Sequence, residues 1–258
     1  MTKTKVKVLV PVYKEFLEGR ELLSFKHNAE VLKRYPMALV APEGLNVDAL
    51  LGEVPQCEVV RVTPDWLGNN GVAGYNCMML TKEFYQLFDD CEYILICQSD
   101  AWIFSDRLDE WCDYGYDYVG APWPKRKVYE LPLIKQYLWL RRKLFGGEDR
   151  ILRQDYFGKV GNGGLSLRKV TSAIAACEKY ARRAEEFKLK QGIVYNEDWF
   201  WALVPKEFKY PPFDQALGFS FDSHPELCFK LAKGKLPFGC HGWYKRRNIA
   251  FWSPIIEK

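Results

Sequence analysis

Between Tyr93 and Phe104 the chain reads YILICQSDAWIF, five apolar residues followed by Gln98-Ser99-Asp100 and then Trp102, Ile103 and Phe104. An apolar run without polar alternation suits a strand buried on both faces, in the middle of a sheet with helices on each side. Such a strand commits the chain to an α/β architecture. In open α/β sheets the carboxyl ends of the strands form the crevice that receives ligands, so Asp100 stands where a ligand or metal would sit. The same carboxylate would equally serve to cap a turn.

The flanking sequence repeats the pattern. Val6 to Val12 is a second buried strand, ending in Pro11-Val12-Tyr13-Lys14-Glu15. Glu18 to Arg34 has helical spacing, Met37 to Ala41 and Cys57 to Val62 read as strands, and Val47 to Leu51 as a short helix. Gly74 to Phe88 reads as one helix leading into the central strand; Arg107 to Tyr114 is a further helix and Tyr116 to Gly120 a further strand. Strand-helix alternation predicts crossovers and a mostly parallel central sheet flanked by helices. At 258 residues the expectation is a single domain.

Composition excludes the extremes. Hydrophobic content of 48% and charged content of 27% are globular values. The net charge of +4 suggests attraction to phosphates without a nucleic-acid partner. Eight cysteines form no CxxC pair, and Cys97 and Cys177 sit at apolar positions, which fits reduced thiols and a cytoplasmic location. No stretch has the roughly 20 apolar residues of a membrane span.

The second half carries the polar motifs. Lys125 to Lys159 gathers basic residues around Leu131, Ile134, Leu138 and Phe145. Such a run is most often a solvated face with its apolar side on the domain; it is also a candidate for anionic lipid headgroups, at the inner face of a membrane, or for an anionic acceptor. Gly161-Asn162-Gly163-Gly164 permits close backbone approach to a ligand, or simply a hairpin turn. Lys169 to Phe187 is predicted as one long helix with a core-facing apolar stripe. Asn196-Glu197-Asp198 places two carboxylates in a first helical turn beside Trp199, where the dipole favours acids and apolar surroundings raise their pKa. His241 lies between small residues, with Trp243, Lys245, Arg246 and Arg247 downstream.

In this order the motifs resemble those of glycosyltransferases with the GT-A fold, a Rossmann-related α/β domain. The words QSDAWIF, GAPW, GNGGLSLR, NEDWFW and PFGCHGW also resemble a bacterial GT-A-like family linked to surface polysaccharide genes. The resemblance covers nearly the whole chain apart from the basic stretch. It implies a nucleotide-sugar-binding half over 1–124, a basic insertion over 125–160 and an acceptor-binding and catalytic half over 161–258. It implies a hexosyltransferase moving a sugar from a nucleotide-sugar, a UDP-sugar above others, to an oligosaccharide or lipid-linked acceptor.

On the same resemblance, Pro11, Tyr13, Glu15, Gln98, Ser99, Asp100, Lys245 and Arg247 would meet the donor. Asp100 and His241 would hold Mn²⁺ or Mg²⁺, with the imidazole leaning the choice toward Mn²⁺. Gly163, Gly164, Trp199 and Trp243 would line the acceptor side. Asp198 would act as base in an inverting transfer, with Glu197 orienting the acceptor or bracing the loop. Gln98 departs from the usual first aspartate of the DxD motif; it still offers a hydrogen bond but no charge, which implies weaker metal binding. The alternatives are a sugar nucleotidyltransferase, whose Gly-rich N-terminal phosphate loop VPVYKEFLEGRE does not supply, and a carbohydrate-binding protein that has lost catalysis.

Overall fold

The computed structural model describes residues 3–147, 150–190 and 192–257. Among these described residues nine strands form two sheets: β1 (Thr4–Pro11), β2 (Met37–Pro42), β3 (Glu58–Val62), β4 (Cys91–Cys97), β5 (Ala101–Ile103), β6 (Tyr118–Val119), β7 (Leu165–Lys169), β8 (Ser220–Phe221) and β9 (Gly239–His241). The larger sheet has the order β3-β2-β1-β4-β7-β6. Its first four members are parallel, whereas β7 runs antiparallel to both β4 and β6.

The unbroken apolar runs are explained by burial on both faces. From β4, Tyr93, Leu95 and Cys97 enter one core with Val8 and Val10, while Ile94 and Ile96 enter the opposite core with Leu9. Helices Gly19–Val31 and Leu108–Asp113 contribute to the first core, and Val170–Lys179 and Glu197–Leu203 to the second. Two predicted helices are each divided. Thr81 adopts extended backbone between Gly71–Met79 and Lys82–Gln86, its hydroxyl donating to the Cys77 carbonyl at 2.7 Å. Tyr180 leaves helical geometry between Val170–Lys179 and Ala181–Leu189.

A small second sheet, β5-β9-β8, encloses its own core of Trp102, Phe221, Cys240, Trp243 and Trp252. Periodicity could not announce it, because its strands are two or three residues long. The basic stretch also departs from expectation. Its helix, Pro132–Phe145, has no buried residue; Ile134 and Leu138 are half-buried, and Leu131 and Phe145 are exposed. No helix among the described residues is long and apolar enough to cross a membrane.

Candidate functional site

Strand order and register bring the distant motifs together. Parallel β1 and β4 are neighbours in the sheet, yet β2 lies on the far side of β1 and β7 on the far side of β4, so the crevice opens past their carboxyl ends. Pro11 closes β1, and Gln98 follows β4 directly. Because β7 is antiparallel to β4 with Leu165 opposite Cys97, the glycine loop arrives beside Gln98, whose backbone N–H donates to the Gly164 carbonyl at 2.9 Å. In the small sheet Ala101 pairs with His241, and Phe221 with Cys240. Asp100 and Asp222 are thereby delivered to the two sides of the His241 ring.

The cleft so formed has a volume of about 610 Å³. His241 Nε2 lies 3.0 Å from Asp100 Oδ1 and 3.1 Å from Gln98 Oε1, and Nδ1 lies 3.1 Å from Asp222 Oδ1. Burial alone would lower the imidazole pKa, but Asp100 and Asp222 outweigh it and raise it to about 9. Asp100 Oδ2 also receives Lys245 Nζ at 2.8 Å. Against the opposing effect of burial, His241 and Lys245 hold the Asp100 carboxyl well below the ordinary range.

Among the described residues no three His, Cys, Asp or Glu side chains form a ready metal cluster. The donor set at Nε2 nevertheless suits a divalent cation. Asp222 occupies Nδ1, the arrangement that fixes a ligating histidine's tautomer and aims its other nitrogen at a metal. Asp100 Oδ1 and Gln98 Oε1 face that nitrogen, giving one carboxylate, one amide oxygen and one imidazole. Ions that keep waters and bind substrate phosphates need few protein ligands.

The acid pair divides into two environments. Glu197 is buried and accepts from Arg168 Nη2 at 2.9 Å; Arg168 is also buried, donates to Tyr85 and Ser166 hydroxyls, and lies over the Tyr118 and Trp201 rings. Burial pushes the Glu197 carboxyl up while Arg168 opposes it. Its backbone amide donates to Asn76 Oδ1 at 3.1 Å, fixing the start of helix Glu197–Leu203. Asp198 remains partly exposed in the cleft, and among the described residues only the Trp199 amide donates to it, at 2.9 Å. Burial, then the neighbouring Glu197 and Asp222 carboxylates, raise it to about 8.

The glycine loop is glycine because these side chains occupy the space beside it. A Cβ on Gly163 would overlap Glu197 Oε1, and one on Gly164 would overlap His241 Nε2. Asn162, at φ 69, accepts from the Gly164 amide at 2.9 Å, while its buried Nδ2 has no partner among the described residues. Since Arg168 pins Glu197, Gly163→Ala should cost about 1–3 kcal/mol of stability, checked by urea denaturation. An unchanged midpoint would mean that the loop yields freely.

Pro11, Tyr13, Gln98, Ser99, Asp100, Gly163, Gly164, Glu197, Asp198, His241 and Lys245 all line this one cleft. Glu15 is exposed outside it, and Arg247 stands 3.9 Å from Asp222 behind the histidine. The two tryptophans expected on the acceptor side present no face to it. Trp243 is fully buried and donates to Ser24 Oγ at 2.8 Å, and Trp199 is buried against Trp123 and Tyr156. Asp222 and Arg168 were not singled out from sequence. Asp222 ends a strand as Asp100 nearly does, but that strand has two residues. Arg168 sits in a strand of buried residues, a position that demands an acid partner.

A family model described as "Protein of unknown function (DUF5672)" matches residues 56–241. A search of curated proteins finds no match. Among solved structures, mouse xyloside xylosyltransferase 1 in its apo form superposes with a TM-score of 0.53 at 10% identity, covering 93% of this chain and 97% of that one. An active-site mutant of LgtC superposes with a TM-score of 0.57 at 13% identity, covering 97% and 94%. LgtC in complex with donor and acceptor sugar analogs gives 0.53 at 11% identity with the same coverage. The α/β fold, with its mostly parallel sheet flanked by helices, matches that of GT-A glycosyltransferases.

Proposed function

From the premise that the chain belongs to the DUF5672 family and has a GT-A glycosyltransferase fold, we propose that it transfers a sugar from a nucleotide-sugar donor, a UDP-sugar, to a saccharide or lipid-linked acceptor. We place the reaction in the cytoplasm, in surface polysaccharide biosynthesis. One observation carries the reading: an acid-histidine pair at the strand ends and an acid of raised pKa share one cleft.

Asp100 and His241, with the amide oxygen of Gln98, would hold Mn²⁺ or Mg²⁺. Bound there, the ion supplies charge neutralisation for the departing diphosphate. Lys245, beside Asp100, adds a cation for the same phosphates. Asp198 accepts the proton of the acceptor hydroxyl as that oxygen attacks the sugar carbon, and the diphosphate leaves with the electron pair of the broken bond. Attack opposite the leaving group inverts the anomeric centre. Glu197 is a positioning residue: locked by Arg168, it holds the first turn of its helix and keeps the Asp198 pKa raised.

A thermal-shift screen of nucleotide sugars with and without Mn²⁺ tests the reading, because a ligand that binds the native state stabilises it. One nucleotide sugar should raise Tm only with the ion present, and incubation with acceptors should then release nucleoside diphosphate. Specific binding without any release, even as hydrolysis, would favour the non-catalytic sugar-binding alternative. No stabilisation by any nucleotide sugar would remove the reading.

A further inference from the structure

We infer that helix Pro132–Phe145 docks in the plane of an anionic lipid bilayer. Leu133, Tyr137, Leu140 and Leu144 recur at i, i+4, i+7 and i+11, so they form one stripe along the helix. All four face away from the protein, exposed by 81, 62, 45 and 64%. Trp139, also exposed, adds an indole of the kind that favours the headgroup region. A 14-residue surface helix without a buried residue has no packing reason to carry this stripe.

Charge selects the occupant. Residues 125–159 contain ten Lys and Arg against four Asp and Glu, a net of +6, whereas the whole chain is +4 from 37 against 33. The remainder is therefore 27 against 29, or −2. The chain's whole positive excess sits on the stretch bearing the unpartnered apolar stripe, and the helix itself contains no acid. An apolar face bordered by Lys and Arg matches an acyl boundary beneath anionic headgroups.

The helix is also coupled to the cleft. Gln154 Nε2 donates to the Leu138 carbonyl at 2.7 Å and Arg142 Nη1 to Asp155 Oδ2 at 2.8 Å, binding the helix to the segment Arg153–Tyr156. Tyr156 packs on Trp199 with ring centroids 5.2 Å apart, and Trp199 follows Asp198. A docked helix would thus hold the acceptor side near the lipid surface. The docking claim does not depend on the transferase reading, because its readout is vesicle binding.

The test is flotation of the full chain with phosphatidylcholine vesicles, with or without 30% phosphatidylglycerol, at two salt concentrations. Binding to the anionic vesicles alone, weakened by salt, is expected. Lys135→Glu/Arg141→Glu/Lys143→Glu, which brings the segment's net charge to zero, should weaken it by at least about a hundredfold. Leu133→Glu/Leu144→Glu should abolish it, with circular dichroism confirming the fold of both variants. Absence of binding, or binding that the leucine variant retains, overturns the inference. Sedimentation that instead shows self-association lost in the leucine variant, without vesicle binding, assigns the face to a second copy.

Discussion

Asp198→Asn should lower kcat by about 10²–10⁴-fold, the usual contribution of a general base, while leaving donor binding intact. The same substitution should raise Tm at neutral and alkaline pH. Burial and two neighbouring carboxylates lift Asp198 from 3.8 to about 8 in the folded chain. The folded state therefore binds one more proton than the unfolded state between those values, so its stability falls as pH rises through that window. Asparagine cannot ionise and removes the penalty. Activity lost together with stability gained is the signature of a group held in an unfavourable state for function. The wild-type kcat/KM should climb with pH and level off above about 8. Near-normal turnover in the variant would free Asp198 of the role. A product NMR spectrum with retained configuration would refute inversion and leave the donor site untouched.

Loss of Asp100 should have the second large effect. Asp100→Ala and His241→Ala should each abolish Mn²⁺-dependent stabilisation by the nucleotide sugar, since each removes one of few protein ligands. Asp222→Asn is more diagnostic. Its carboxylate meets the far nitrogen of His241, with Arg247 3.9 Å away, and is not itself one of the candidate ligands, so the change should weaken Mn²⁺ binding about 10–100-fold without deleting a ligand. Titration of Mn²⁺ followed by calorimetry measures all three. Undiminished activity in saturating EDTA would show that the cleft works through its own cations.

The main sheet was legible because long buried strands leave long apolar runs, as in YILIC and VKVLV. Pro11, Gln98 and Asp100 could be placed from strand ends alone. Asp222 could not, because a two-residue strand has no period, and its role depends on a register with β9 that appears only in three dimensions. The tryptophans misled for a related reason. The resemblance put Trp199 and Trp243 on the acceptor side next to Asp198 and His241, but consecutive residues on a helix or after a strand point in different directions. Trp199 and Trp243 turn inward and serve as the packing behind the acids. The glycines were read as permitting close backbone approach to a ligand or a hairpin turn; Gly163 and Gly164 do line the cleft, and a side chain there would meet Glu197 and His241.

The pairing of β5 with β9 has a consequence for folding order. Gln98 and His241 are 143 positions apart, and β5 pairs with β9 over three residues. The four parallel strands all lie within the first 97 residues. Closing so long a loop costs entropy that three pairs recover slowly, so the large sheet should consolidate while Asp100 still lacks its histidine. The acid-histidine pair should then form after the large sheet and, being held by strands of three residues, open before it. Foldedness and binding competence become separate properties: a population whose large sheet is intact can contain molecules in which β9 has let go and the cleft is incomplete.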